Sequence, residues 1–275
     1  MGQTSHPSTV SGRVTAVLAI VSMLAPAILR GDQVLVRHRQ GALRGFLILR
    51  TADGAVIADG EVSQVVSGTR VTSKTDLHFK DGSTQEETTI FSQSRGFRLQ
   101  SDHMVQRGPS FPNPIDAYVD CGRGQIEVRY PDDKGQEKLI KQHMDLPADL
   151  ANGVLFTMLT NLQPDSGKTT VSLLVTSPKP RIVRVNITPS SSRDSFWVGS
   201  SKYEAMHYVL KIDIGGIAGA VAPLVGKQPA DTNVWILDGD PPLLVKFAGQ
   251  FFSGGPVWQM ELAAPNWTEP GRNSQ

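Results

Sequence analysis

The fold is decided by residues 70–93, which read RVTSKTDLHFK, then DG, then STQEETTIFSQ. Both flanking runs are rich in β-prone residues, and Asp-Gly between such runs is a strong signal for a two-residue hairpin, because both turn positions need positive φ. A tight turn at Asp81-Gly82 predicts that Leu77 faces Glu86 across the hairpin. The stretch therefore predicts two long antiparallel strands.

Short β-prone runs divided by Gly, Asp and Pro continue along the rest of the chain and predict further strands. These runs are 45–50, 97–107, 115–121, 125–130, 137–144, 169–176, 181–188, 203–214, 234–237, 243–248 and 257–262. Residues 147–162 break the pattern, because their apolar residues recur at the i, i+4, i+8 spacing of an amphipathic helix. We therefore predict a mainly β fold: a curved antiparallel sheet or incomplete barrel packed on one amphipathic helix. A split into two domains near residue 165 is the alternative.

Composition excludes several classes of protein. Of 275 residues, 39% are hydrophobic, which is enough for a sizeable core and excludes wholesale disorder. The 27 Lys and Arg nearly balance the 26 Asp and Glu, so no global basic field predicts nucleic-acid binding. A single cysteine, Cys121, excludes a disulfide framework within the chain and a multi-cysteine zinc site. Burial is the expected state of Cys121, with a reactive thiol or an intermolecular bridge as the alternative.

The first 27 residues have the order of a secretory signal. Residues 1–13 are polar and contain Arg13, residues 14–24 are apolar (VTAVLAIVSML), and Ala25-Pro26-Ala27 offers small residues for cleavage. An uncleaved membrane anchor and a buried core helix are the alternatives. We predict a signal peptide at 1–27, a single β-rich domain at 28–268, a disordered tail at 269–275, and a periplasmic or secreted location.

No motif for a cofactor or metal is complete. Gly167-Lys168-Thr169 ends like a Walker A loop, but Leu162 stands where its first glycine belongs. The histidines form no short metal-ligand pair. We predict neither a cofactor nor a metal site.

Glu86 is one candidate acid. In the predicted register it shares a face with Leu77 and Phe79, and an inward-facing carboxyl has a raised pKa. Solvent exposure near the end of a hairpin is the simpler interpretation.

His103 is the other candidate for enzymatic chemistry. Asp102 precedes it directly, so on a strand the two side chains point to opposite faces. A triad needs distant segments instead, such as Ser110 with His103 and either Asp116 or Asp120. Ordinary polar residues at a strand end and in a loop are the alternative.

Large apolar side chains are candidates for a ligand-facing concave wall, with core packing as the alternative. These are Trp235, Trp258, Phe97 and Met158.

Several stretches resemble a group of exported bacterial proteins that have no assigned activity. They are HFKDGSTQEETTIFSQSRGFRLQSDHMVQRGPSFP (78–112), HMDLPADLANG (143–153), KPRIVRVNITP (179–189), GGIAGAVAPLVGKQPADTNVWI (215–236) and GGPVWQMEL (254–262). The resemblance covers about residues 34–267 and implies export, but it assigns no catalytic residue.

Residues 233–247, NVWILDGDPPLLVKF, resemble hairpins of periplasmic spiral β-roll and lipoprotein-carrier-like half-barrels. Those folds wrap a curved sheet around a helix or an apolar ligand, which implies carriage, scaffolding or envelope maintenance. Such an analogy concerns the fold alone.

The function that the sequence favours is non-catalytic binding of an apolar or amphipathic molecule, or of an envelope protein, in the bacterial cell envelope. The helix or the glycine-rich segment 215–226 would act as a movable cover. A structural or assembly protein without a small ligand is the first alternative. A hydrolase-like enzyme using His103 with Asp102, Glu86 or Ser110 is the second. Contact with a membrane surface fits the expected location, and the sequence leaves the oligomeric state open.

Overall fold

The computed structural model describes residue 1 and residues 31–163, 165, 167–176, 179–198, 200–213 and 229–263. The predicted signal peptide after its first residue, the predicted tail and the glycine-rich segment 215–226 lie outside the described residues. Their predicted roles stay predictions.

The described residues form fourteen strands and one short helix. The strands are β1 (Leu43–Arg50), β2 (Val56–Ser67), β3 (Arg70–Phe79), β4 (Thr84–Gln93), β5 (Phe97–Arg107), β6 (Ile115–Asp120), β7 (Gln125–Pro131), β8 (Glu137–His143), β9 (Thr169–Val175), β10 (Arg181–Val198), β11 (Ser201–Asp213), β12 (Thr232–Leu237), β13 (Leu243–Gln250) and β14 (Val257–Leu262). The helix α1 (Leu155–Leu159) lies between β8 and β9.

All fourteen strands belong to one antiparallel sheet, which confirms the predicted fold class. Each strand pairs with the next along the chain, with one exception and one addition: β8 does not pair with β9, and β14 pairs with β1. The sheet is therefore an incomplete barrel that stays open between β8 and β9. The chain that joins these two strands crosses the interior, and we call its residues 148–162 the plug.

The alternation of side chains explains why one face of the sheet is a core. In β7, Ile126 and Val128 are buried, whereas the intervening Glu127 points outward and bonds Lys141 of β8 at 2.9 Å. A period of two along a strand places alternate residues on opposite faces. The inner faces therefore surround the plug, and the outer faces carry the charged pairs.

The predicted helix at 147–162 is wrong in extent, because α1 spans only five residues. The apolar positions were correctly expected to be buried: Leu150, Val154 and Met158 are each at most 1% exposed. The conformation differs because Gly153 adopts a positive φ of +54°, which interrupts a right-handed helix. No helix among the described residues is long and apolar enough to span a bilayer.

The residues before α1 pair with the edge strand β9 instead of continuing a helix. The N–H of Ala151 donates to the carbonyl of Ser172 at 2.8 Å. The side chain of Asn152 imitates a strand residue: its Oδ1 accepts from the N–H of Leu174 at 2.7 Å, and its Nδ2 donates to the Leu174 carbonyl at 2.8 Å. These bonds satisfy backbone groups that an edge strand would otherwise expose.

Two apolar clusters fill the interior. The larger cluster packs the plug against inner-face residues of β4–β7 and β9–β12, including Phe91, Val119 and Val185. The smaller cluster gathers inner-face residues of β1–β3 and β14 around Trp258 and Phe111. Space is left where the two clusters meet.

Candidate functional site

A cavity of about 430 Å³ lies between the two clusters, beneath the plug. This volume falls within the range of small-molecule sites, which is roughly 300–1,000 Å³. Phe156 of α1, Leu244 and Phe247 pack against both clusters and line the cavity. Its other lining residues are Gln40, Leu43, Arg44, Gly45, Leu47, Val62, Gln64, Ser73, Thr75, Leu77, Gln85, Glu87, Thr89, Met104, Gly153, Thr157, Thr160, Pro242, Leu243, Gln250, Phe251, Met260 and Leu262.

One wall of the cavity is apolar and rich in aromatic rings. Phe247 contacts Phe156 on one side and Phe251 on the other, edge to face, with ring centroids 5.2 and 5.4 Å apart. Met260 and Leu262 of β14 continue this wall. Such a surface favours an apolar body, since burying it removes apolar area from water.

The wall formed by β2–β4 is polar, and some of its side chains form hydrogen bonds within the protein. Gln64 donates to the Gly41 carbonyl at 2.8 Å, and Gln85 accepts from Gln106 at 2.8 Å. The Thr89 hydroxyl donates to the Asp102 carboxylate at 2.8 Å. These bonds fix the wall in place before any ligand arrives.

Glu87 differs from its polar neighbours, because no described residue hydrogen-bonds or ion-pairs with its carboxyl group. It lies on β4 between Thr75 of β3 and Met104 of β5, and its remaining exposed surface lies along the cavity. Burial raises its pKa to about 8, and the negative charge of Asp102 adds to that rise. An unpaired carboxyl at this depth is held in its neutral form because ionising it there costs solvation.

Asp102 lies behind the cavity wall, 6% exposed. Burial raises its pKa to about 6, and this rise is opposed by the hydrogen bond from Thr89 and by the proximity of His103. Two carboxyl groups, Glu87 and Asp102, thus influence each other inside the barrel. Like charges close together disfavour simultaneous ionisation.

The plug approaches Asp102 and its partner Thr89 through Gly153. A Cβ at that position would lie 1.9 Å from the Thr89 hydroxyl and 2.6 Å from the Asp102 carboxylate. Only a residue without a side chain lets the plug backbone approach so closely. The polar wall and the plug are therefore fitted to each other at this point.

Glu87 rather than Glu86 faces inward, because the predicted hairpin register is wrong by one residue. Leu77 pairs with Gln85, not with Glu86. The turn has three residues instead of two: the N–H of Phe79 donates to the carbonyl of Ser83 at 2.9 Å, and Gly82 alone has a positive φ, +85°. A one-residue shift moves every side chain to the other face.

A sequence signal for this longer turn exists. The Asp81 carboxylate accepts from the N–H of Ser83 at 2.9 Å, a bond typical of turns in which Asp binds the backbone two residues on. Such a three-residue turn with glycine in the left-handed region is the next most common hairpin loop after the two-residue types. With three residues in the loop, the register places Glu87 on the inner face.

The structure does not bring His103 and Ser110 together. His103 lies on the outer face, with Nε2 2.9 Å from the Asp116 carboxylate, while Asp102 lies on the inner face as the strand alternation predicts. Ser110 donates to Asp81 at 2.7 Å beside the β3–β4 turn. Ser110 is hydrogen-bonded to Ser83, whereas His103 lies opposite Thr88 of β4. Five residues separate Ser83 from Thr88, which is about 16 Å at about 3.3 Å per residue.

Among the described residues, neither Asp120 nor Glu86 forms a hydrogen bond or ion pair with His103, whose partner is Asp116. Asp120 accepts from the N–H of Arg123 at 3.0 Å in the β6–β7 turn. Glu86 is exposed on the outer face of β4. The geometry therefore assembles no triad from the predicted residues.

The four predicted ligand-wall residues lie outside the set that lines the cavity. Phe97 and Met158 are each 1% exposed in the larger cluster. Trp258 is buried in the smaller cluster against Phe79 and Phe111, immediately behind the cavity wall.

Trp235 occupies a different environment. Its indole stacks on the His207 ring with centroids 4.6 Å apart and donates to Asp194 at 2.5 Å. The ammonium group of Lys246 lies 5.3 Å from the centroid of the indole ring.

A more open depression of about 620 Å³ lies at the β5–β6 end of the barrel. Arg70, Arg98, Asp120 and the half-buried Cys121 line it. Burial is the main cause that raises the pKa of the Cys121 thiol to about 12, so it is not a reactive thiolate. This depression is larger than the cavity, but it is more open, and polar and charged groups make up about half of its lining, so it lacks the enclosing apolar wall of a small-molecule site. Within the described ranges, no group of three or more His, Cys, Asp and Glu could hold a metal ion.

A comparison with solved structures finds a likeness at the level of the fold. The chain is similar to a beta-barrel-like protein of a domain of unknown function, DUF1849, from Brucella abortus, with a TM-score of 0.45 and 8% identity over 86% of this chain and 99% of that one. No protein-family profile and no curated protein sequence matches significantly. Membership of an exported bacterial family therefore stays a prediction, and this similarity assigns no function.

Proposed function

We propose that this protein binds an amphipathic small molecule, without catalysis, inside its incomplete barrel. The observation that carries the proposal is the cavity of about 430 Å³, with an aromatic wall on β13 and the plug facing a polar wall on β2–β4. A ligand with an apolar body and a polar head satisfies both walls at once. Concave, mostly apolar sites with a few placed polar groups are the usual form of small-molecule sites.

The plug gives this cavity a roof. Phe156, Thr157 and Thr160 belong to α1 and its C-terminal end, and they close one side of the cavity. Leu43 and Arg44 of β1 are exposed and line the same cavity, so they mark its mouth. A ligand that enters at the mouth does not displace Ala151 and Asn152, the part of the plug that is hydrogen-bonded to β9.

The predicted secretory signal extends the proposal to a location. Binding would then take place in a bacterial cell envelope, with carriage as the role. This part rests on the signal pattern and the family resemblance alone.

The test is native mass spectrometry of the full chain expressed in an export-competent bacterial host, followed by solvent extraction of any adduct. We expect a stoichiometric apolar adduct on the native protein. Thr75→Phe, on the inner face of β3, fills part of the cavity and should remove the adduct. Thr72→Phe makes the same change on the outer face of the same strand and should retain it.

An unoccupied protein that also fails to bind added apolar probes would refute the proposal. It would leave a structural or assembly role as the better account. An adduct that survives Thr75→Phe but not Thr72→Phe would place the binding site on the outside of the barrel.

A further inference from the structure

We infer that the ligand is an amphipathic monocation, whose protonated amine pairs with Glu87 while its apolar body lies against the aromatic wall. This inference rests on the proposed function and specifies the head group that the same cavity takes. It is carried by the unpartnered carboxyl of Glu87, which lines the cavity, together with the charges around it.

The hydroxyls beside Glu87 are also without a hydrogen-bond partner among the described residues. Thr75 lies opposite Glu87 across the β3–β4 pair, and Ser73 lies opposite Thr89 two residues along. Their neighbours Gln64, Gln85 and Thr89 are all bonded within the protein. An ammonium group has three donors, so one head group could donate to Glu87, Thr75 and Ser73 together.

The ionisable groups on the inner side of this cavity are carboxyls. The ionisable residues among the lining set are Glu87 and Arg44. Arg44 is at the mouth, where its guanidinium group is largely exposed and pairs with Glu61 at 2.8 Å. Because Arg44 pairs with Glu61, no basic side chain among the lining residues neutralises Glu87. Asp102 adds a second carboxyl behind the wall.

This sign selects among head groups. An anionic head such as a carboxylate would meet two carboxyl groups and is disfavoured. A neutral hydroxyl gains one hydrogen bond with Glu87 but brings no counter-charge that would favour the ionised form of this carboxyl. An ammonium supplies that counter-charge in a place sheltered from water, where such pairing is strongest.

The opposite wall suits the remainder of a cation. The rings of Phe156, Phe247 and Phe251 form a continuous edge-to-face series along it. They can accept an alkyl chain or an aromatic body, and a ring face within reach of the head group adds a cation–π contact.

The test uses probes that differ only in their heads. The neutral fluorophore N-phenyl-1-naphthylamine reports occupation of the cavity, and decylamine, decanol and decanoate compete with it below their micelle-forming concentrations. We expect decylamine to displace the fluorophore at a concentration at least tenfold lower than decanol, and decanoate to be the weakest competitor.

Two variants assign the preference to one carboxyl. Glu87→Gln should bring decylamine and decanol to within about twofold of each other, while the fluorophore still binds. Glu86→Gln, one residue away on the outer face, should keep the tenfold preference. Calorimetry at pH 7 in two buffers of different ionisation enthalpy should show a proton released when decylamine binds to the native protein and none with Glu87→Gln.

The outcomes separate the two proposals. If the fluorophore and all three competitors fail to bind, the proposed function fails and this inference fails with it. If decanol competes as well as decylamine on the native protein, or if the preference survives Glu87→Gln, the cavity binds apolar molecules. The inference that a cationic head group pairs with Glu87 is then wrong.

Discussion

The inner and outer faces of β4 and β5 hold their ionisable side chains in opposite circumstances. Outside, Glu86 is exposed and His103 pairs with Asp116 at 2.9 Å. Inside, the neighbour of Glu86 in the chain, Glu87, is unpaired. The neighbour of His103, Asp102, is buried against Thr89. The difference shows that the burial and the partners of a carboxyl group, not its presence in the sequence, decide whether it can do chemistry or binding.

The largest effect should come from disturbing the contact between the plug and the inner face. Gly153→Ala adds a Cβ that overlaps the Thr89 hydroxyl, at a residue with positive φ. We expect a loss of about 2–5 kcal/mol in the free energy of unfolding, from backbone strain and overpacking together. Urea unfolding followed by circular dichroism measures it.

Gly135→Ala is the matched control for that variant. Gly135 also has a positive φ, +75°, but an added Cβ would have no heavy atom within 4 Å. It should lose only the backbone contribution, about 1–2 kcal/mol. Equal losses for the two variants would show that the plug does not press on Thr89 and Asp102.

The second prediction concerns pH. The pKa of Glu87 is raised from 4.5 to about 8 in the folded protein, so between these values the folded state holds a proton that the unfolded state has lost. Stability therefore falls as pH rises through this window, by at most about 1.4 kcal/mol per pH unit. Asp102, whose folded pKa is about 6, adds a loss of the same sign mainly below pH 6.

Comparing urea midpoints at pH 6 and pH 8 isolates Glu87. Glu87→Gln should flatten the decline and be more stable than the native protein at pH 8, because an amide has no charge to desolvate. Glu86→Gln should keep the native slope. A native protein whose stability does not change between pH 6 and pH 8 would contradict the buried, unpaired state of Glu87.

The sequence could predict the strands but not this assignment of faces. The alternating runs and the Gly, Asp and Pro breaks place the strands and the antiparallel class correctly. The inward carboxyl was missed because register depends on whether the loop at Asp81 has two residues or three, and both fit the dipeptide. A single turn therefore decided which of Glu86 and Glu87 lines the cavity.

The plug shows the same limit for helices. The spacing of Leu150, Val154 and Met158 correctly predicted burial, since all three are in the core. It could not reveal that Asn152 bonds the backbone of Leu174, because that partner is distant in the chain. Tertiary pairing with an edge strand overrode the local helical pattern.

A third, smaller effect is expected when the plug is released from β9. Asn152→Ala removes both side-chain bonds to Leu174, so the backbone N–H and carbonyl of Leu174 lose these partners. We expect a loss of about 1–3 kcal/mol. Hydrogen exchange should locate the loss, with faster exchange of the Leu174 amide and little change at the β3–β4 pair. Faster exchange throughout the inner wall would instead mean that the plug and the cavity open together.

The smallest effect should come from the outer face. His103→Ala removes an ion pair whose histidine side chain is 46% exposed, and Asp116 keeps Arg107 and Arg129 within 4 Å. Exposed pairs of this kind contribute about 0–1 kcal/mol, so we expect a loss below about 0.5 kcal/mol and unchanged binding of N-phenyl-1-naphthylamine.

Asp102→Asn is the inner-face counterpart of His103→Ala. It removes a buried carboxyl that contacts Thr89 and influences Glu87, so it should alter the pH dependence of stability. If His103→Ala instead weakened probe binding severalfold, the outer face would be coupled to the cavity, and the two faces could no longer be treated as independent.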